Sequence, residues 1–197
     1  MKYSSFFGRT VLLIIEVFLF AGSITSQAHA ATLPASVLAA ANLYEKQGSY
    51  VPLPGRLLIP SIKVDVPIES LGLTSAGAVA APAGPNDVAW FNQGPAPGRK
   101  GSAVIVGHFG WKDGVEAAFD KLHQLHKGDL IYVKDAKGVQ STFVVTDMRT
   151  YSSQAETPNV FASNDGNHLN LITCSGKWNT SKKSYTERLV VFTDLTS

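Results

Sequence analysis

From residue 56 onward, short apolar runs alternate with clusters of Gly, Pro, Asn and Asp. The runs are "RLLIPSIKVDVPI" (56–68), "VAWFN" (88–92), "SAVIVGH" (102–108), "DLIYVKD" (129–135), "QSTFVVTDMRTY" (140–151), "LNLITC" (169–174) and "RLVVFTD" (188–194). Val, Ile, Phe and Thr dominate them, and these residues suit a pleated, half-buried surface, so each run predicts a strand. Pro60 breaks the first run. In "AVIV", "LIT" and "LVVF" the apolar residues are consecutive rather than alternating, which predicts strands covered on both faces. One segment has helical spacing instead: "DGVEAAFDKLHQL", with Asp113 as N-cap, Val115, Ala118, Phe119, Leu122 and Leu125 on one side, and Gly128 just past its end. Seven or eight short strands with one or two short helices predict an all-β fold, a closed barrel with a helix packed outside it.

The preceding residues read differently. Lys2 and Arg9 come before "TVLLIIEVFLFAG", and a small-x-small site follows at Ala28 to Ala30. This pattern predicts a signal peptide over 1–30, with an uncleaved signal anchor as the alternative. The apolar run from Val11 to Gly22 carries Glu16 and falls short of the roughly 20 residues of a spanning helix. In either case the remainder is expected outside the cytoplasm. Residues 31–55 read as a linker, stiffened by Pro52 and Pro54, and 56–197 as the main domain. The 197-residue chain has a formal net charge of +2, and its Lys and Arg are scattered without a basic stripe. Nucleic acid is therefore not an expected partner.

Export changes the meaning of Cys174, the only cysteine. A single exported cysteine cannot pair within its chain, so it is a reactive thiol, half of an intermolecular bridge, or a small buried hydrophobe. His29 lies in the leader, and His123 and His126 sit beside Lys121 and Lys127 as solvated groups. His168 opens the cysteine strand, roughly 20 Å from Cys174 along an extended chain. His108 ends the most apolar strand, sharing a face with Ser102, Val104 and Val106; on the other strand Asn170, Ile172 and Cys174 share one. Arg188 opens the last strand, and "SGKWNTSKKSYTE" reads as a loop returning the chain to the mouth that holds Cys174. Taken alone, His108 reads as a hydrogen-bonded rim histidine and Arg188 as an edge-strand ion pair, with Glu187 as its candidate partner. One cysteine and dispersed histidines give no metal-ligand spacing.

Together these segments resemble the sortases, exported cysteine transpeptidases of bacterial surfaces. "LNLITC" is similar to the family's cysteine strand, "SAVIVGH" to its histidine strand and "RLVVF" to its arginine strand. "VAWFNQGPAPGRKGSAVIVGH" resembles the class D, E and F branches, and "CSG" leans toward class F. The resemblance, from Arg56 to Asp194, implies the sortase β-barrel and catalytic roles for Cys174, His108 and Arg188. It implies no cofactor, and the acidic set that binds calcium in class A has no counterpart in Glu116, Asp120 and Asp165. It implies protein substrates with a C-terminal sorting signal of the Leu-Pro-any-Thr-Gly type, and an amine acceptor such as a cell-wall peptide or pilin lysine. A hydrolytic cysteine peptidase and a non-catalytic exported β-domain are the alternative readings.

Overall fold

The computed structural model describes residues 53–196. The expected leader and all but the last three residues of the expected linker lie outside the described residues. Eight strands close into one barrel in the order β1-β2-β3-β4-β7-β8-β6-β5. They are β1 (Pro54–Ile59), β2 (Val64–Leu71), β3 (Val88–Phe91), β4 (Gly101–Gly107), β5 (Leu130–Asp135), β6 (Gln140–Ser152), β7 (Asn167–Asn179) and β8 (Ser184–Leu195). A 3-10 turn at Pro60–Ile62 separates β1 from β2, where Pro60 interrupts the ladder. The β2–β3 and β4–β7 pairs are parallel and the other six antiparallel.

Side-chain alternation divides the apolar strands into two faces. Ala103, Ile105, Leu169, Leu171, Leu189 and Val191 point inward and join Leu57, Ile59, Ile131 and Phe143 in the barrel core. Val104, Val106, Ile172, Val190 and Phe192 point outward. That outer face is covered by the β6–β7 connection, residues 153–166, whose Val160 is fully buried against it. The cover is a single helical turn, α1 (Pro158–Phe161), with proline in its first turn.

The helix expected at 113–125 does not form. The segment is a chain of turns with 3-10 pieces at Lys112–Gly114 and Leu122–Gln124, and Asp113 has a positive φ of 61° instead of capping. Its backbone donors are used elsewhere: Ala118 N–H bonds Pro85 O at 2.8 Å and Phe119 N–H bonds His108 O at 3.2 Å. The Asp120 carboxylate takes the N–H groups of Gly110 and Ala117. The helical spacing is real burial without a helix, since Phe119, Leu122 and Leu125 are core while Val115 is 46% exposed.

A second difference concerns the end of the chain. The expected loop after Cys174 is strand: β7 and β8 run on as a two-stranded ribbon that pairs Trp178 with Tyr185 and Asn179 with Ser184. A register shift between Ser175 and Trp178 kinks it, with Gly176 at φ 78°. A side chain there would meet Thr186 Oγ1 at 2.6 Å.

Candidate active site

Cys174 thus lies within β7 and Arg188 within β8, neither at a strand end as expected. They are direct register partners, and Arg188 is in turn the partner of Tyr151 on β6. On the other side, β4 pairs with β7 through Val106 and Ile172. Two residues beyond that pair lie Cys174, still on β7, and His108, the first residue past the end of β4. Cys174, Arg188 and Tyr151 therefore form one row across β7, β8 and β6, and His108 extends it from the end of β4. Because the even-numbered positions of β4 and β7 point outward, this row faces the outer surface of the sheet, not the barrel's mouth.

Two contacts hold the row together. Thr173 Oγ1 donates to Gly107 O at 2.8 Å, so the residue before the cysteine is bonded to the residue before the histidine. Gly107 is required by packing: a Cβ there would lie 2.5 Å from the ring of buried Phe119. The row forms the floor of a groove of about 410 Å³. Ala78, Val79 and Ala81 from the β2–β3 connection form one wall, and Thr157, Val160 and Phe161 from the β6–β7 connection form the other. His108, Cys174 and Arg188 all line it.

The chemistry of each group follows from its surroundings. Burial pushes the half-buried Cys174 thiol above its ordinary value, and the nearby Arg188 charge only partly offsets this. The resting group is therefore a neutral thiol. His108 Nε2 lies 2.8 Å from Pro82 O. A carbonyl only accepts, so Nε2 carries the proton. The Trp111 ring packs on the imidazole with centroids 4.7 Å apart. The Arg188 guanidinium donates to Tyr185 O at 3.0 Å, Glu187 O at 2.8 Å and Ser184 Oγ at 3.2 Å, all on its own strand. Its contact with Glu187 is through the backbone carbonyl, in place of the expected ion pair. His123 and His126 are exposed, and His168 lies at the far end of the same outer face.

Beyond the groove, Trp111 and Tyr185 line an open hollow of about 470 Å³ with Trp178, which is 53% exposed. Sequence reasoning passed over Thr173, Trp111, Tyr151 and Pro82. Thr173 and Tyr151 are found only once the cross-strand register is known. Pro82 and Trp111 reach the site through connections that carry no periodic signal. Among the described residues no group of His, Cys, Asp and Glu forms a metal-binding cluster, and no helix is long and apolar enough to cross a membrane.

A closed eight-stranded barrel with a thiol, an imidazole and a guanidinium in one groove defines the architecture of a cysteine transpeptidase. The chain belongs to the sortase family: residues 57–196 match the Sortase domain model. Among solved structures it is similar to sortase C-1 from Actinomyces oris, with 25% identity over 80% of this chain and 81% of that one, TM-score 0.56. It is also similar in fold to sortase C1 from Streptococcus agalactiae (20% identity, 73% of this chain and 67% of that one, TM-score 0.56). A lid mutant of sortase A from Corynebacterium diphtheriae shares the fold as well (20% identity, 83% and 81%, TM-score 0.58). No curated protein matches the sequence.

Proposed function

We propose that this chain is an exported sortase, class F-like, in which Cys174, His108 and Arg188 cleave a sorting signal of the Leu-Pro-any-Thr-Gly type and pass the acyl group to an amine. The observation that carries the reading is the single cross-strand row that brings all three side chains into one groove. The groove's apolar side walls suit an extended peptide bearing small and aliphatic side chains.

Cys174 Sγ attacks the carbonyl carbon of the scissile bond, and its proton passes to His108, which becomes the imidazolium as the oxyanion forms. Burial keeps the thiol neutral at rest, so this transfer accompanies the attack. Arg188 donates to the oxyanion or to the adjacent substrate carbonyl, exchanging a backbone partner for it; one such donor is typically worth about 3 kcal/mol of barrier. The Nε2 proton of His108, turned from Pro82 O, goes to the departing nitrogen as the C–N bond breaks, which leaves a thioester on Cys174. Neutral His108 then takes a proton from the incoming amine as its nitrogen attacks the thioester carbonyl, and returns it to the departing sulfur, so that Cys174 leaves as thiol and His108 ends neutral. An attack by water completes the same cycle as hydrolysis. The exposed aromatic hollow beside His108 favours the amine, since an acceptor held there gains effective concentration over solvent.

The test is incubation of the protein with a sorting-motif peptide library and candidate amines, read by mass spectrometry. A thioacyl adduct on Cys174 followed by amide product is the expected result. Free acid with every wall amine, oligoglycine and diaminopimelate-bearing peptides included, would make the protein a peptidase. Absence of any adduct would leave the non-catalytic β-domain. Export predicts envelope fractionation, with or without loss of residues 1–30.

A further inference from the structure

His168 occupies the same outer face as Cys174, three cross-strand rows away, where it pairs with Asp194 on β8. Both imidazole nitrogens are engaged. Nδ1 lies 2.7 Å from Asp194 Oδ1 and Nε2 2.9 Å from Asp165 Oδ1. Asp194 belongs to the barrel, whereas Asp165 belongs to the β6–β7 connection, the segment whose other end walls the groove through Thr157, Val160 and Phe161. A carboxylate only accepts, and a neutral imidazole has a single N–H. Both bonds therefore exist together only in the imidazolium.

Resting on the sortase reading above, we infer that His168 is a positioning residue: its protonated ring pins the β6–β7 connection to the barrel and so sets the shape of the peptide groove. It touches neither substrate nor the reacting atoms. Loss of its proton removes one of the two donors and places a lone pair against a carboxylate, which releases the connection at Asp165. The connection then keeps its other anchors, Asn170 Nδ2 to Val160 O at 2.6 Å and Gly101 N to Gly166 O at 2.8 Å. The expected effect is a loosened groove wall rather than an unfolded barrel.

The charged groups around His168 come from four segments. Asp194 is on β8, and Asp165, which also accepts from Ser163 Oγ, is on the connection. Asp147 and Arg149 of β6 line the same cavity and pair with each other at 2.7 Å. Lys127 adds a further cation 3.7 Å from Asp147. β4 contributes only the uncharged Ser102. Burial of the ring opposes the charge, but the hydrogen bonds it donates to Asp194 and then to Asp165 outweigh this and hold His168 above the ordinary histidine value. With a raised value, the clamp is complete at and below the ordinary histidine range and is lost as pH rises through the raised value.

The experiment compares wild type with His168→Gln, never charged, and His168→Arg, always charged, over pH 5 to 9. In wild type the KM for the acyl-donor peptide should rise roughly three- to tenfold on the alkaline side, with kcat moving less, as expected for a lost side-chain hydrogen bond. His168→Gln should show the high KM at all pH, and His168→Arg should restore the low KM without the pH step. Hydrogen exchange of residues 158–166 in the unliganded protein should be faster in His168→Gln than in His168→Arg at one pH. Should the Gln variant fail to fold, Asp165→Ala removes only the connection's half of the clamp and must reproduce both effects. Wild-type KM, pH step and exchange in His168→Gln, or in Asp165→Ala, would overturn the inference. The exchange measurement requires no turnover, so it stands or fails separately from the proposed reaction.

Discussion

At Cys174 two opposing forces act on one sulfur: burial favours the thiol, and the Arg188 charge favours the thiolate. Burial wins, and the consequence is measurable. Alkylation by iodoacetamide should be slower at neutral pH than for an unstructured cysteine, and should accelerate only above the ordinary thiol range. Arg188→Gln should shift that profile further to the alkaline side, because it removes the nearby positive charge that stabilises the anion. Cys174→Ala should abolish acyl transfer and move the melting temperature by only a few degrees, since the half-buried side chain fills little of the core. Arg188→Lys should lose about 10²- to 10³-fold in kcat, because an ammonium cannot present the planar pair of donors that the guanidinium offers. Full activity in that variant would remove the arginine from the mechanism and leave Cys174 and His108 in place.

Elements were legible to the extent that one of their faces is buried. Every barrel strand appears in the apolar runs, because each has residues packed inside the barrel. The distal ribbon of β7 and β8 was not legible. Its residues Gly176, Lys177, Trp178, Thr180 and Lys182 are exposed, so no face of it carries a hydrophobic period, and polar composition reads as loop. The reverse error occurred at 113–125, where core contacts fell at helical intervals while the backbone N–H groups of Ala118 and Phe119 were bonded to other segments. The residue types of the candidate site were visible in the sequence; their common row was not, because it depends on the parallel β4–β7 pairing. Gly107 joins the two levels. Gly107→Ala should cost about 1–3 kcal/mol through overpacking on Phe119, read as a fall in melting temperature, and should displace His108 enough to lower turnover.

For the whole molecule, stability as a function of pH sums several shifted groups. Asp147, bonded first to Arg149, and Asp165, bonded first to Ser163 and then to His168, lie below the ordinary carboxylate value, so their contribution is lost in acid. His168 and Cys174 both lie above their ordinary values, so theirs is lost as pH rises, the histidine first. Melting curves should therefore show a plateau between the carboxylate and histidine ranges, with a first alkaline step that His168→Gln flattens. A histidine variant that keeps the full step would assign it to other groups.

The order in which the barrel is strung has a further effect, on when the protein becomes chemically competent. β8 follows the other seven strands in the chain, yet it sits between β7 and β6 and carries Arg188. As the polypeptide is synthesised, the cysteine strand is complete before the strand that supplies its neighbouring charge exists, and the sheet stays open along that seam. β7 and β8 form a hairpin, so Cys174 and Arg188 meet locally, whereas the β4–β7 and β6–β8 pairings that bring up His108 and Tyr151 close longer stretches of chain. A nascent or truncated chain lacking β8 would carry the thiol without its neighbouring guanidinium.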